Sequence, residues 1–277
     1  MYKLSANGHT ITYHDSDPSG NGSSGKLPTL LLLHGFPLHS AVWNDVAERM
    51  TGKARVIRPN LRGFGTFTND ADFGMHELAA DVRALVLTLD LPPLIIAGLS
   101  MGGYVALDYV RNWQEGVIGL GLVNTRSGAD APEAKPARDE MAATAKRRGT
   151  PTVVSAMHPR MLAPEAYEQR PAVSEALLRI MLDTPATTIA RASRAMRDRD
   201  DYSQDLRSFD GPISIVAGEE DQIVPLAESR AMADAVSSAR LDVLPHCGHM
   251  SPVESPAEVA VALSRLVDDS QKSTLLN

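Results

Sequence analysis

A serine between glycines, Gly98-Leu99-Ser100-Met101-Gly102, is the first group of residues that could do chemistry. Leu94 to Ala97 before it reads as an apolar strand, and Met101 to Trp113 after it reads as a helix. At so sharp a strand-to-helix turn a serine is forced into a strained conformation that exposes its hydroxyl. The glycines let strand and helix approach without a Cβ clash, and the helix N-terminus lies under any oxyanion that develops. A structural turn with an incidental serine has the same letters; the strand before and the helix after favour a nucleophile. His34-Gly35-Phe36-Pro37 closes a second apolar strand, Leu30 to Leu33. A tight turn there aims the Phe36 amide at the same edge as the Met101 amide, and two convergent N–H donors suit a tetrahedral oxyanion. The His34 side chain itself reads as a hydrogen-bonded structural residue.

A serine hydroxyl is a weak nucleophile and needs a base and an orienting acid from elsewhere. Pro245-His246-Cys247-Gly248-His249-Met250 lies between the strand-like Leu241 to Leu244 and the last helical segment, offering His246 and His249 as bases. Asp221 lies in Gly218-Glu219-Glu220-Asp221-Gln222-Ile223-Val224-Pro225, just after the apolar run Ile213 to Ala217, with Glu219 and Glu220 as rival acids. These candidates all follow carboxyl ends of strands, in the order Ser, Asp, His. Arg126, just beyond Val123-Asn124, reads either as a surface arginine or as a partner for a substrate carboxylate. Cys247 reads as a packed small hydrophobe. A metal clip at His246 to His249 lacks the spread of a closed site, so no metal is expected. Met141, Met157, Met161, Met181 and Met196 read mainly as helix-packing core, with an adaptable pocket as the other possibility.

The elements that must position these residues are legible in the apolar pattern. Leu30 to Leu33, Arg55 to Ile57, Leu94 to Ala97, Val117 to Val123 and Ile213 to Ala217 are short continuous runs, as in strands buried on both faces of a parallel sheet. Helical spacing falls between most of them, over Ala41 to Met50, Met75 to Leu89, Met101 to Trp113, Leu226 to Val236 and Pro256 to Val267. This alternation predicts a doubly wound sheet with right-handed crossovers. Asn7-Gly8 between two short alternating segments predicts an antiparallel hairpin at the start, and Asp15 to Lys26, rich in Gly and Ser, a flexible surface loop. The alternation stops from about Ser127 to Arg207, where helical spacing appears at Met141 to Arg148 and Val173 to Leu182 and only Val153-Val154 hints at a strand. The expected organisation is one core, residues 1–126 and 206–277, interrupted by a helical cap, residues 127–205.

With its motifs in order, the sequence resembles the α/β-hydrolase superfamily: H-G-F-P at His34 to Pro37, L-R-G-F-G at Leu61 to Gly65, G-L-S-M-G-G at Gly98 to Gly103, G-E-E-D-Q-I-V-P at Gly218 to Pro225 and G-H-M-S-P-V-E at Gly248 to Glu254. The resemblance runs from Leu27 to about Val267. It implies an α/β fold with a mostly parallel central sheet, helices on both faces and a helical cap insertion. It also implies Ser100 as nucleophile, His249 rather than His246 as general base and then acid, Asp221 as orienting acid, and the Phe36 and Met101 amides as the oxyanion hole. Asn60 departs from the aspartate often found before L-R-G in relatives, which is expected to alter local hydrogen bonding and not the triad. The cap length and the elbow resemble bacterial carboxylesterases and 3-oxoadipate enol-lactonases, so the expected substrate is a small-molecule ester or lactone, with Arg126 important for an anionic lactone. Carbon–carbon bond hydrolases and perhydrolases share the scaffold, and a non-catalytic ligand receptor on the same fold is the reading from a different class.

Composition narrows the field further. The chain has 277 residues, 43% of them hydrophobic and 22% charged, which excludes general disorder. A net charge of −7 without a Lys/Arg run argues against nucleic acid or an anionic membrane as partner. Acidic and basic residues are equal in number within Ser127 to Asp205, so the excess acidity belongs to the core. One cysteine excludes an internal disulfide framework. No G-x-G-x-x-G follows the first buried strand and no P-loop pattern occurs, so no nucleotide cofactor is expected, nor any other. The N-terminal M-Y-K-L-S-A-N-G-H-T carries no apolar leader, and a cytoplasmic monomer or homodimer is the expectation.

Overall fold

The computed structural model describes residues 1–17, 27–65 and 71–276. Eight strands form one sheet in the order β1-β2-β4-β3-β5-β6-β7-β8. They are β1 (Tyr2–Ala6), β2 (His9–Asp15), β3 (Thr29–Leu33), β4 (Arg55–Pro59), β5 (Leu94–Leu99), β6 (Val117–Val123), β7 (Ile213–Gly218) and β8 (Ala239–Leu244). β1 and β2 pair antiparallel, as do β2 and β4, and every later pair is parallel. The opening hairpin turns at Asn7 and Gly8, both with positive φ (51° and 78°), as a two-residue primed turn requires. Most of the Gly/Ser-rich stretch expected to be a surface loop lies outside the described residues; Asp15 within it ends β2 instead, where Arg55 grips its carboxylate through two hydrogen bonds.

The continuous apolar runs are explained by layers on both sides. Leu31 and Leu33 of β3 point into one core with Ile96, Leu120, Leu122 and Ile215. Leu30 and Leu32 point into the other with Ile95, Ala97, Leu99 and Val216. The first layer is covered by α2 (Met75–Thr88) and α3 (Met101–Trp113), and the second by α1 (Asn44–Arg49) and by α12 (Pro256–Leu276). Each fully buried leucine of β3 contributes about 1.5–3 kcal/mol relative to exposure. Ala41 to Met50, read as one helix, is divided: Ser40–Trp43 is a 3₁₀ turn capped by His39, and only then does α1 begin.

Between β6 and β7 the chain is helical: α4 (Lys135–Arg148), α5 (Thr150–Met157), α6 (Ala166–Gln169), α7 (Pro171–Leu182), α8 (Ala186–Asp198) and α9 (Ser203–Arg207). Val153-Val154, the hint of a strand, lies inside α5, whose Pro151 sits in the first turn where it lacks no hydrogen bond. α8 is not among the helices expected from the sequence, although it is amphipathic, burying Ile189, Ala192, Ala195 and Met196 among mostly small residues. After β7 come α10 (Leu226–Asp234), the short α11 (Ser251–Glu254) and the long α12. Among the described residues no helix is long and apolar enough to cross a membrane.

Candidate active site

Ser100 stands between β5 and α3 with φ 52° and ψ −114°, outside the ordinary regions for a side-chain-bearing residue. The packing around it explains the glycines. A Cβ on Gly98 would lie 2.1 Å from the Gly102 carbonyl oxygen, and one on Gly102 would lie 2.4 Å from that of Leu33. Strand, turn and helix are therefore closer than any side chain permits, and Ser100 is held up at the carboxyl edge of the sheet. The Ser100 N–H donates to the Val123 carbonyl (2.9 Å), which fixes the turn to β6.

Two loops bring the other groups to it. The loop after β8 delivers His249, whose Nε2 is 3.0 Å from Ser100 Oγ and whose Nδ1 is 2.7 Å from Asp221 Oδ2. The loop after β7 delivers Asp221, whose Oδ1 accepts from the N–H groups of Ile223 (2.7 Å) and Val224 (2.9 Å). Burial acts to raise the Asp221 carboxyl, but His249, the Val224 N–H and Asn124 hold it below the usual carboxylate range. With Asp221 ionised, His249 Nδ1 carries the proton and Nε2 is the acceptor facing the serine. Asn124, with φ 45° just after β6, donates from Nδ2 to Asp221 Oδ2 (3.0 Å) and to the Gly248 carbonyl (3.1 Å). It thereby joins the two loops. A polar residue directly after a buried strand was the available signal for it.

Phe36 and Met101 flank the serine on the remaining side. Met101 opens α3, so its N–H has no intrahelical acceptor. The Gly35–Phe36 turn lies against Ser100: a Cβ on Gly35 would be 3.2 Å from Ser100 Cβ. His34 is fully buried, accepts from the Leu61 N–H at Nε2 (3.0 Å) and contacts the Gly35 carbonyl through Nδ1 (2.9 Å), a structural bridge between two loops. Burial lowers its pKa to about 3, so it stays neutral.

The rival candidates are not part of this arrangement. His246 is largely exposed and faces Glu165 (3.4 Å) and Glu220 (3.7 Å). Cys247 is fully buried, and burial pushes its thiol up to about 12. Asn60 accepts from the Ser40 N–H (2.8 Å) and donates to Thr12 Oγ1 (2.8 Å), a donation no carboxylate could make, and it bonds to none of the three central residues.

The space above Ser100 is about 50 Å³, lined by Phe36, Tyr104, Met157, Met161, Met196 and His249 among others. Arg126 lines it too, ion-paired with Asp130, and so does Arg138 from α4, a residue without a sequence signal of its own. Of the five methionines, three face this cavity, while Met181 is buried in one of the two cores and Met141 packs against the other. A larger depression of about 500 Å³ by His14, His39 and Asn60 contains no hydroxyl hydrogen-bonded to a histidine, so size alone does not identify the site.

A parallel sheet that ends in a strained serine elbow, with a histidine and an aspartate brought up from later strand ends, defines an α/β hydrolase. The chain belongs to the alpha/beta hydrolase family, which matches residues 30–262. It is 25% identical over 260 residues to the monoacylglycerol lipase ABHD6 of Bos taurus, spanning 88% of this chain and 77% of that one. It is 23% identical over 234 residues to 3-oxoadipate enol-lactonase 2 of Acinetobacter baylyi, spanning 83% and 84%. Among solved structures, a thermophilic esterase from Thermogutta terrifontis in its malate-bound form superposes with a TM-score of 0.90 at 29% identity, covering 98% of this chain and 99% of that one.

Proposed function

We propose that the chain is a serine hydrolase that cleaves carboxylic esters of small acids through Ser100, His249 and Asp221. The carrying observation is the unbroken line from Asp221 Oδ2 through the imidazole to Ser100 Oγ, with contacts of 2.7 and 3.0 Å. His249 takes the serine proton as Oγ attacks the ester carbonyl carbon, and Asp221 stabilises the imidazolium that forms. The oxyanion is held by the Phe36 and Met101 N–H groups. Collapse of the tetrahedral adduct breaks the C–O bond to the alcohol, which leaves with the proton from His249. Water then attacks the acyl-enzyme with His249 again as base, releasing the acid and regenerating Ser100. These steps balance without a cofactor.

The division into a core (residues 1–126 and 206–277) and a cap (127–205) belongs to the same reading, the cap acting as substrate lid. Support comes from Met157, Met161, Met196 and Arg138, all cap residues that line the cavity over Ser100. At about 50 Å³ the cavity has room for a water or two, so an acyl chain enters only as these flexible thioethers change rotamer. A lactone is the same reaction on a ring ester, and the enol-lactonase of Acinetobacter baylyi keeps that substrate beside the open-chain ester. The test is labelling with a fluorophosphonate: modification at Ser100 alone, lost in Ser100→Ala, supports the reading. A folded chain whose Ser100 stays unmodified refutes it.

A further inference from the structure

Four charged side chains meet at the cap side of the cavity. Asp130, its side chain only 1% exposed, is shared by three guanidiniums. Its Oδ1 accepts from Arg126 and from Arg199 Nη1 (2.8 Å), and its Oδ2 accepts from Arg138 Nε (2.9 Å). Burial acts to raise this carboxyl, yet Arg138 and Arg199 hold it at about 2, so it is ionised at any physiological pH. One negative charge therefore faces three positive ones.

The three arginines are not equally engaged. Arg199 is fully buried; its Nη groups also donate to the carbonyls of Met196 and Gly128 (2.8 Å each), and its guanidinium lies 4.1 Å from the Tyr104 ring centroid. It is a structural member of the cluster. Arg126 and Arg138 are the two that line the cavity with Ser100. Arg138 uses only Nε on Asp130, and among the described residues both of its Nη groups are without a partner. Arg126 uses one Nη, and its Nε is buried with none. The acidic groups nearby do not balance them: Asp221 is engaged by His249, and the half-buried Glu228 acts on Arg126 from beyond ion-pair distance. Both side chains are part-exposed at 22%, and only Arg126 Nε is buried without a partner. An anion entering the cavity would replace water on the open Nη groups with charge-assisted bonds. A carboxylate matches the planar fork of a guanidinium as a neutral group does not.

We propose that Arg126 and Arg138 form a carboxylate subsite beside Ser100, so that the substrate is an ester or lactone carrying a second, ionised acid group. Arg126 alone was the sequence candidate for such a contact; the open donors of Arg138 make it a two-arginine site, with Asp130 fixing both guanidiniums in place. The proposal rests on the serine-hydrolase reading for its substrate chemistry, but the anion site is testable without turnover.

Methyl half-esters of a graded series of linear dicarboxylic acids, each compared with the methyl ester of the monocarboxylic acid of equal carbon count, give a ratio of kcat/KM for charged over neutral acyl chains. The ratio is expected to reach about 30 or more for the best-fitting length, and to fall at least about 10-fold in Arg138→Met and in Arg126→Met. Arg138→Lys, which keeps the charge without the fork, should recover part of it. A ratio at or below one in the parent chain, or a ratio that both methionine variants leave unmoved, overturns the proposal. In parallel, glutarate is titrated by calorimetry into Ser100→Ala. Binding that weakens at least about 10-fold when Arg138→Met is added supports the subsite, and no binding to Ser100→Ala overturns it. If neither ester of any pair is cleaved, the ester-hydrolase reading fails, and the glutarate titration still decides the subsite.

Discussion

Glu254 sits five residues after His249 with a side chain that is 0% exposed, and its carboxylate collects three backbone donors. Oε2 accepts from the Ala163 N–H of the helical segment (2.7 Å); Oε1 accepts from the Gly248 (3.0 Å) and Met250 (3.3 Å) N–H groups on either side of His249. In Glu254→Ala all three donors lose their acceptor. Each buried unsatisfied N–H costs about 1–3 kcal/mol. Relief of the buried charge and entry of water offset part of that sum, leaving a net loss of about 3 kcal/mol and a fall in Tm of about 6–12 °C for a chain of this size. The loop carrying His249 also loses its clamp, so kcat for an aryl ester should fall about 10²-fold with a smaller change in KM. Glu254→Gln should fall between: one oxygen can serve one side of the clamp, while the NH₂ then faces an N–H. Its pH behaviour gives a second handle. Burial raises the Glu254 carboxyl against the pull of those N–H groups, so the linked stability is present below the ordinary glutamate range and is lost as pH rises through the raised folded-state value. The stability gap between the parent and Glu254→Gln should therefore narrow as pH rises from about 4. Thermal unfolding across that range and steady-state kinetics test both parts. A Tm within about 2 °C of the parent, with kcat unchanged within about twofold in Glu254→Ala, would refute the clamp.

Ser100→Ala and His249→Ala should each lower ester turnover about 10⁶-fold while the chain stays folded, and Asp221→Asn should cost about 10⁴-fold by presenting the wrong imidazole tautomer; undiminished turnover in Asp221→Asn would move the acid elsewhere. Asp130 is held at about 2 against an ordinary value of 3.8, so it contributes stability of order 2 kcal/mol that is present above pH 4 or so and lost as pH falls toward 2. Urea titrations should show that acid-side loss in the parent and not in Asp130→Asn. Gly98→Ala places a methyl 2.1 Å from the Gly102 carbonyl oxygen, and strand and helix must part to admit it; a loss of about 3 kcal/mol or more is expected by urea unfolding, with Ser100 no longer labelled by fluorophosphonate.

The sheet could be read from the sequence because burial on both faces writes a continuous apolar run, as in Leu30 to Leu33, and a strand followed by a glycine-flanked serine has few other uses. The loops after β7 and β8 were legible for a related reason: chemistry at a parallel sheet gathers at its carboxyl edge, so Asp221 and His249 had to be sought just beyond apolar strands. Where the resemblance chose His249 over His246, the structure shows a physical difference between them, one buried against Ser100 and the other exposed with φ 52°. Arg138 carried no signal, and Glu254, though it closes the G-H-M-S-P-V-E motif, gave no sign of its role. Each is a charged residue in an otherwise ordinary helical stretch, and its meaning comes from a partner brought in by tertiary packing: Asp130 eight residues before Arg138, and Ala163 ninety-one residues before Glu254. α8 has an amphipathic period, with Ile189, Ala192, Ala195 and Met196 buried and Arg191, Arg194 and Arg197 on the other side, but its apolar residues are mostly small and it is not among the helices expected from the sequence.

The way the helical segment is fastened bears on how a substrate arrives. Besides the Ala163 bond to Glu254, Thr184 Oγ1 donates to the Pro37 carbonyl and Thr188 Oγ1 to the Gly63 carbonyl, each at 2.8 Å and buried. Tyr202 OH reaches Asp108 (3.0 Å), and Arg199 stacks on Tyr104 of α3. These contacts fasten the segment to the rest of the chain, and lifting it as a body would leave several of them unsatisfied at about 1–3 kcal/mol each. Rotamer changes of Met157, Met161 and Met196 cost far less, because an unbranched thioether has several staggered conformers close in energy. The lower-energy route to Ser100 is therefore through its methionine lining, with the polar contacts and the Arg126–Asp130–Arg138 cluster left in place. Under the proposed carboxylate subsite, an acid group entering past the methionines would meet donors that Asp130 already orients.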